Sequence, residues 1–178
     1  MRQALKIHPD STCQAVLGIE ADVSCRPDGA LTLSYMVSGT IGDLSLPPVS
    51  DPARTDGLWQ RMCFEVFIRL PTQPEYYEFN FAPSTQWAAY RFSSYREGME
   101  YANDIAVPRI EAIARADAYR LETTLKLKLA RPWRLALSAV IEETNQRKSY
   151  WALAHPPGKP DFHHPDGFAL ELLQCESP

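Results

Sequence analysis

WQRMCFEVFI, residues 59–68, and YYEFNFAPSTQWAAYRFSSYR, residues 76–96, decide the fold class of this chain. Apolar and polar residues alternate with period two through both segments, as a half-buried strand requires. Phe64, Val66 and Ile68 share one face of a first strand, Tyr77, Phe79 and Phe81 one face of a second, and Ala88, Tyr90 and Phe92 one face of a third. Glu65, Glu78, Asn80 and Arg91 interrupt them, interleaved with Trp59, Tyr76, Trp87 and Tyr90. Hydrogen-bonding groups beside flat rings on one sheet suit a polar, cyclic ligand such as a sugar.

Working outward, Val16–Cys25 and Ala30–Ser38 alternate in the same way around Asp28-Gly29, whose residues tolerate the positive φ of a tight hairpin turn. Residues 42–57 carry Pro47, Pro48 and Pro52 and read as a long loop, which in a compact domain is often functional. Residues 93–108 read as irregular with room for a short helix. Further strands are expected over 119–129, 134–143, 149–154 and 168–173. HPPGKPDFHHPDG, residues 155–167, is a proline-rich connection. Nine or ten short strands without a long amphipathic helix predict an all-β fold, an antiparallel β-sandwich, with residues 1–178 as one domain.

At 178 residues and 45% hydrophobic content the chain can bury a full core. A net charge of −4 argues against a broad nucleic-acid face, which needs concentrated Lys and Arg. The densest basic stretch, Lys126, Lys128, Arg131 and Arg134, reads as a solvated strand face. No apolar run has the length of a signal peptide or membrane helix, so a cytoplasmic location without membrane contact is expected. Cys13, Cys25, Cys63 and Cys175 lie far apart and are expected as free thiols.

Catalytic and metal readings stand beside the binding reading. Glu65 and Glu78 could pair for glycoside hydrolysis, or work with a histidine of the 155–164 loop in a small hydrolase or lyase. They fare better as acceptors for sugar hydroxyls, because a carboxylate accepts strong charge-assisted hydrogen bonds. His155, Asp161 and His163 have ligand chemistry, but adjacent prolines hold that loop extended, and converging on one ion from there is difficult. No nucleophile elbow or glycine-rich phosphate loop is present. Trp133 reads as core. Cys63 reads as packed rather than reactive.

LWQRMCFEVFI (58–68), YYEFNFAPSTQWAAYRF (76–92) and PGKPDFHHPDGFALEL (157–172) resemble the DOMON-like superfamily. The chain looks like bacterial DOMON-like domain-containing proteins of about this length, related to carbohydrate-binding modules of family 9. That resemblance covers about Val16 to the C-terminus. It implies a jelly-roll-like sandwich and, in the sugar-binding branch, two tryptophans that clamp a terminal sugar beside a glutamate. The Trp, five residues, Glu arrangement is met by Trp59 and Glu65, and the late tryptophan points to Trp151. Asn80 falls in the corresponding strand region, and Arg91 is a polar partner by position. Arg61 and Met62 stand where related modules carry acids, which weakens a carried-over calcium site. Another branch binds haem through Met and His, for which Met36, Met62 and Met99 are candidates. The expected site is Trp59, Glu65, Glu78, Asn80, Trp87, Arg91 and Trp151. It would bind a sugar or sugar-like molecule without catalysis and without a cofactor, calcium and haem being the alternatives.

Overall fold

The computed structural model describes residues 1–128 and 132–173. Twelve strands occur among them: β1 Arg2–Ile7, β2 Val16–Cys25, β3 Ala30–Gly39, β4 Cys63–Arg69, β5 Tyr76–Phe81, β6 Trp87–Phe92, β7 Glu100–Tyr101, β8 Arg109–Ala114, β9 Ala118–Lys126, β10 Trp133–Glu142, β11 Lys148–Ala152 and β12 Leu170–Leu172. All pair antiparallel. The path runs β7-β6-β5-β4-β10-β11-β1-β2-β3-β9-β8, with β12 also on β10. Among the described residues no helix is long and apolar enough to cross a membrane.

The path folds over itself at β1. Its first half pairs with β2 (Arg2↔Asp22 to Leu5↔Ile19) and its second half with β11 (Lys6↔Ala152, Ile7↔Trp151). One strand thus joins sheet I (β1, β2, β3, β9, β8) to sheet II (β7, β6, β5, β4, β10, β11, β1), in an arrangement that buries the inner faces of both. The core between them holds Leu31, Leu33 and Tyr35 of sheet I against Phe64, Val66, Phe79 and Leu135 of sheet II, all fully buried. Each such side chain contributes about 1.5–3 kcal/mol when taken from water.

The predicted 16–38 hairpin forms as β2 and β3. At its turn Gly29 sits at φ +86°, and Asp28 Oδ1 accepts from the Ala30 amide at 3.1 Å. Gly39 closes β3 against the Ala15 backbone, where an added Cβ would lie 2.0 Å from the Ala15 carbonyl oxygen. Three strands, β1, β7 and β8, escape sequence reading. β1 has a single fully buried position, and β8 is an edge strand with mixed burial, so neither shows a clean alternation. The irregular 93–108 stretch carries the two-residue β7 instead of a short helix. The strand expected over 119–129 ends at Lys126, and Leu129 lies outside the described residues.

Cys25 is disulfide-bonded, which corrects the expectation of free thiols at that position; Cys13 and Cys63 are free. Cys175 lies outside the described residues.

Sheet II has a second apolar layer on its outer face. Cys63 and Phe67 of β4, Tyr76 of β5, Ala88, Tyr90 and Phe92 of β6 and Ala136 of β10 pack there under Leu58, Phe162 and Phe168 from the loops. This layer explains why β4, β5, β6 and β10 are buried on both faces. It also frames the site.

Candidate functional site

Glu65 and Glu78 emerge from β4 and β5 on the outer face of sheet II. The register fixes this, because Glu65 pairs with Asn80 and Phe67 with Glu78, so both acids share a side with Phe67. They form the floor of a pocket of about 340 Å³, at the small end of ligand sites. Only 2% of Glu65 and 5% of Glu78 is exposed. Glu65 Oε2 accepts from Ser138 Oγ at 3.0 Å, and Glu78 Oε1 accepts from Asn80 Nδ2 at 2.7 Å.

Burying two carboxyls side by side disfavours their charged forms. Burial first, and then the neighbouring Glu78, push Glu65 up to about 8. Burial raises Glu78 to about 7, opposed by the Asn80 hydrogen bond and the Arg96 charge. The protons belong to the pair. Near neutral pH the floor therefore holds at least one protonated carboxyl, which donates as well as accepts.

His163 closes one side. Burial first, then the Arg96 charge, lower it to about 4, so the ring is neutral. Burial pushes Tyr76 up to about 12, which keeps it a phenol. Tyr76 Oη accepts from the Arg96 amide at 3.2 Å and lies 2.7 Å from His163 Nδ1. Donation from the phenol to Nδ1 satisfies both groups and leaves the proton on Nε2, which lies 3.7 Å from Glu78 Oε2. With a neutral ring this approach is no ion pair, and it exceeds hydrogen-bond length. The loop carrying His163 is tied to the β6–β7 loop through Asp161, which accepts from Arg96 Nη2 at 2.7 Å and from Tyr95 Oη. Those bonds outweigh burial and hold the Asp161 carboxyl below its ordinary range.

Aromatic rings supply the walls. Trp59 stands at the rim, 42% exposed, edge-on to Tyr90 at 5.9 Å between centroids. Tyr90 donates to Asp56 Oδ1 at 2.8 Å, which fixes the 53–57 loop to the sheet. Phe92, Tyr150 and Phe162 also line the pocket, with Met99 and Arg96 at its edge.

The residues expected from sequence divide accordingly. Trp59, Glu65 and Glu78 line one cavity. Asn80 is fully buried just beneath it, holding Glu78. Trp87, Arg91 and Trp151 do not line it, and the reason is register parity. Glu78 pairs with Tyr90, so Trp87 and Arg91 point to the opposite side of β6. Trp87 packs in the inter-sheet core under the Arg54 guanidinium, 4.4 Å from the ring centre, and Arg91 pairs with Glu75 at 2.6 Å. On β11 the pair Val140↔Tyr150 faces the pocket and Ala139↔Trp151 faces the core, where Trp151 Nε1 donates to Ser149 Oγ at 2.9 Å. Tyr90, Phe92, Tyr150 and Phe162 line the pocket and stood outside the expected set. The cross-strand pairing of Glu78 with Tyr90 places Tyr90 and Phe92 on that side, and the pairing of Val140 with Tyr150 places Tyr150 there; neither is visible until the register is fixed.

The metal alternative does not assemble. His155 lies 2.8 Å from the Lys6 carbonyl oxygen and edge-on to His8, away from the Asp161–His163 loop contacts. Among the described residues no three His, Cys, Asp or Glu side chains converge on one ion. Of the methionines offered for haem, Met62 is buried in the core, Met36 lies on the outer face of sheet I, and Met99 stands at the pocket edge with His163.

No protein-family model matches the chain and no curated protein matches it in sequence. Solved structures do. In fold the chain is similar to carbohydrate-binding modules of family 9. A module of that family from Caldicellulosiruptor kristjanssonii in complex with glucose gives a TM-score of 0.56 at 15% identity, covering 97% of this chain and 86% of that one. The complex with cellotriose gives 0.53 at 14%, covering 89% and 74%. A candidate carbohydrate-binding protein of Bacteroides uniformis gives 0.68 at 12%, covering 93% and 83%. At these identities the likeness is one of fold.

Proposed function

We propose that the chain is a non-catalytic carbohydrate-binding domain of DOMON-like type, related to the family 9 modules. The observation that carries the reading is the pocket on sheet II: an exposed indole at the rim, aromatic walls, and two buried carboxyls on the floor. A pyranose offers apolar C–H faces to the rings and hydroxyls to the floor. A carboxyl pair that keeps a proton can both give and take hydrogen bonds, which suits hydroxyls, themselves donors and acceptors. The related folds recorded with glucose and with cellotriose support the same class of ligand. Affinity is expected to be modest, because hydroxyls exchange water for protein at small net gain.

The hydrolase or lyase alternative with Glu65, Glu78 and a loop histidine rests on His163. At 3.7 Å from Glu78 its neutral ring makes no hydrogen bond to the acid, so the binding reading stands ahead. Titration calorimetry with glucose and cello-oligosaccharides tests it. Saturable binding lost in Trp59→Ala and Glu65→Ala supports the assignment. Binding unchanged in both variants removes the pocket from it, and turnover of the sugar favours the enzyme.

A further inference from the structure

Resting on the carbohydrate-binding reading, we propose that the pocket prefers a ligand carrying a protonated amine, an amino sugar, over its neutral counterpart. Glu65 and Glu78 lie on the floor, more than nine-tenths buried. Among the described residues, Glu65 Oε1 and Glu78 Oε2 accept no hydrogen bond, while their partner oxygens are taken by Ser138 and Asn80. The floor thus carries two acids, one open oxygen on each, and no cation bonded to either.

The groups facing the pair do not neutralise it. Arg96 is the cation at the pocket's edge, and its guanidinium is already paired with Asp161 at 2.7 Å. His163 carries no charge. Tyr76 and Tyr90 are phenols engaged with His163 and Asp56. Above the floor the walls are ring faces and edges: Trp59, Tyr90, Phe92, Tyr150 and Phe162. Carboxylates below and aromatic rings around are the surroundings in which an ammonium gains both charge-assisted hydrogen bonds and cation–π attraction.

A neutral sugar leaves the two acids sharing protons, because it brings no charge to offset their repulsion. An ammonium brings three donors and a full positive charge. It favours the ionised carboxylates, so protons held by the pair pass to the buffer as the ligand binds.

Three β-1,4-linked trimers separate the ideas: cellotriose, the glucosamine trimer and the N-acetylglucosamine trimer, which differ at the C2 substituent. Calorimetry is run at about pH 6.5, below the ordinary amine range of about 7.7–8.0, in two buffers of different ionisation enthalpy. The glucosamine trimer is expected to bind about tenfold more tightly than the other two, with net proton release. In Glu78→Gln the ratio of glucosamine-trimer affinity to cellotriose affinity falls toward one, whatever the variant's affinity for cellotriose itself. The wild-type comparison needs no variant, so a poorly folding variant does not obscure it. Cellotriose binding as tightly as the glucosamine trimer overturns the amine preference and leaves the carbohydrate reading intact. Absence of binding by all three at millimolar concentration overturns both.

Discussion

Tyr35 Oη donates to the main-chain carbonyl oxygen of Glu65 at 2.6 Å, with both groups buried. Tyr35 belongs to β3 of sheet I, and Glu65 presents its side chain to the pocket on the far side of sheet II. One hydrogen bond therefore ties the core to the backbone that positions the floor. The Tyr35 ring also packs against Phe64, 5.1 Å between centroids. Tyr35→Phe keeps the ring and removes the donor, so it is expected to lower stability by about 0.5–1.5 kcal/mol. In urea the midpoint should fall at constant slope; an unchanged midpoint would show that the bond carries no net energy.

Two tryptophans that look equivalent in the sequence should behave oppositely. Trp151 is buried in the inter-sheet core and Trp59 is 42% exposed at the pocket rim. Trp151→Ala opens a core cavity, with an expected loss of roughly 3–5 kcal/mol. Trp59→Ala forfeits one edge-on contact with Tyr90, about 1 kcal/mol or less, yet should abolish most sugar affinity. Denaturation and calorimetry on both variants check the pair of outcomes. A stable Trp151→Ala that fails to bind would instead return Trp151 to the site.

The contrast marks how far sequence reading reached. Period-two alternation revealed most of the strands, and their apolar faces lie where expected wherever one face alone is buried, as in β2 and β3. Sheet II is buried on both faces, so alternation there no longer says which face is inside. Ala88, Tyr90 and Phe92 were grouped correctly on one face, but that face is the outer one, beneath the loops. Trp87 and Arg91 fell on the wrong side for the same reason. Glu65 and Glu78 were legible because acids within apolar strands are costly to bury and stand out against any core. His163 was visible as a residue and not as a pocket wall, since its place depends on Asp161 meeting Arg96 across 65 residues of sequence.

That meeting has its own consequence. Asp161 holds Tyr95 and Arg96 of the β6–β7 loop against the loop that carries His163. Arg96 is about half exposed, so the pair contributes about 1 kcal/mol or less to global stability. Asp161→Ala should therefore leave the unfolding midpoint nearly unchanged while loosening both loops. Amide exchange is expected to accelerate over 93–99 and 160–164 and not in β4 or β10. Ligand dissociation should quicken correspondingly, as seen by stopped-flow tryptophan fluorescence. Uniform exchange across the chain would contradict a local latch.

The buried acids make stability depend on pH with a definite sign. A carboxyl whose folded-state pKa is raised binds more protons in the native state than in the unfolded chain, so stability falls as pH rises through that interval. For Glu65 the interval runs from 4.5 to about 8, and for Glu78 from 4.5 to about 7. His163 works the other way at lower pH. Its folded value of about 4 lies below its ordinary 6.5, so stability is lost as pH falls across that range. The two effects oppose each other in mild acid, which leaves the span from about pH 7 to about pH 8.5 for the carboxyls. There the wild type is expected to lose about 1 kcal/mol per pH unit, the work of removing about one excess proton. Glu65→Gln should flatten this slope, because Glu78 loses its repelling neighbour and no ionisable group replaces Glu65. Urea titrations at three pH values across that span decide it. A wild-type midpoint that stays level or rises would mean that the acids are not held protonated by burial.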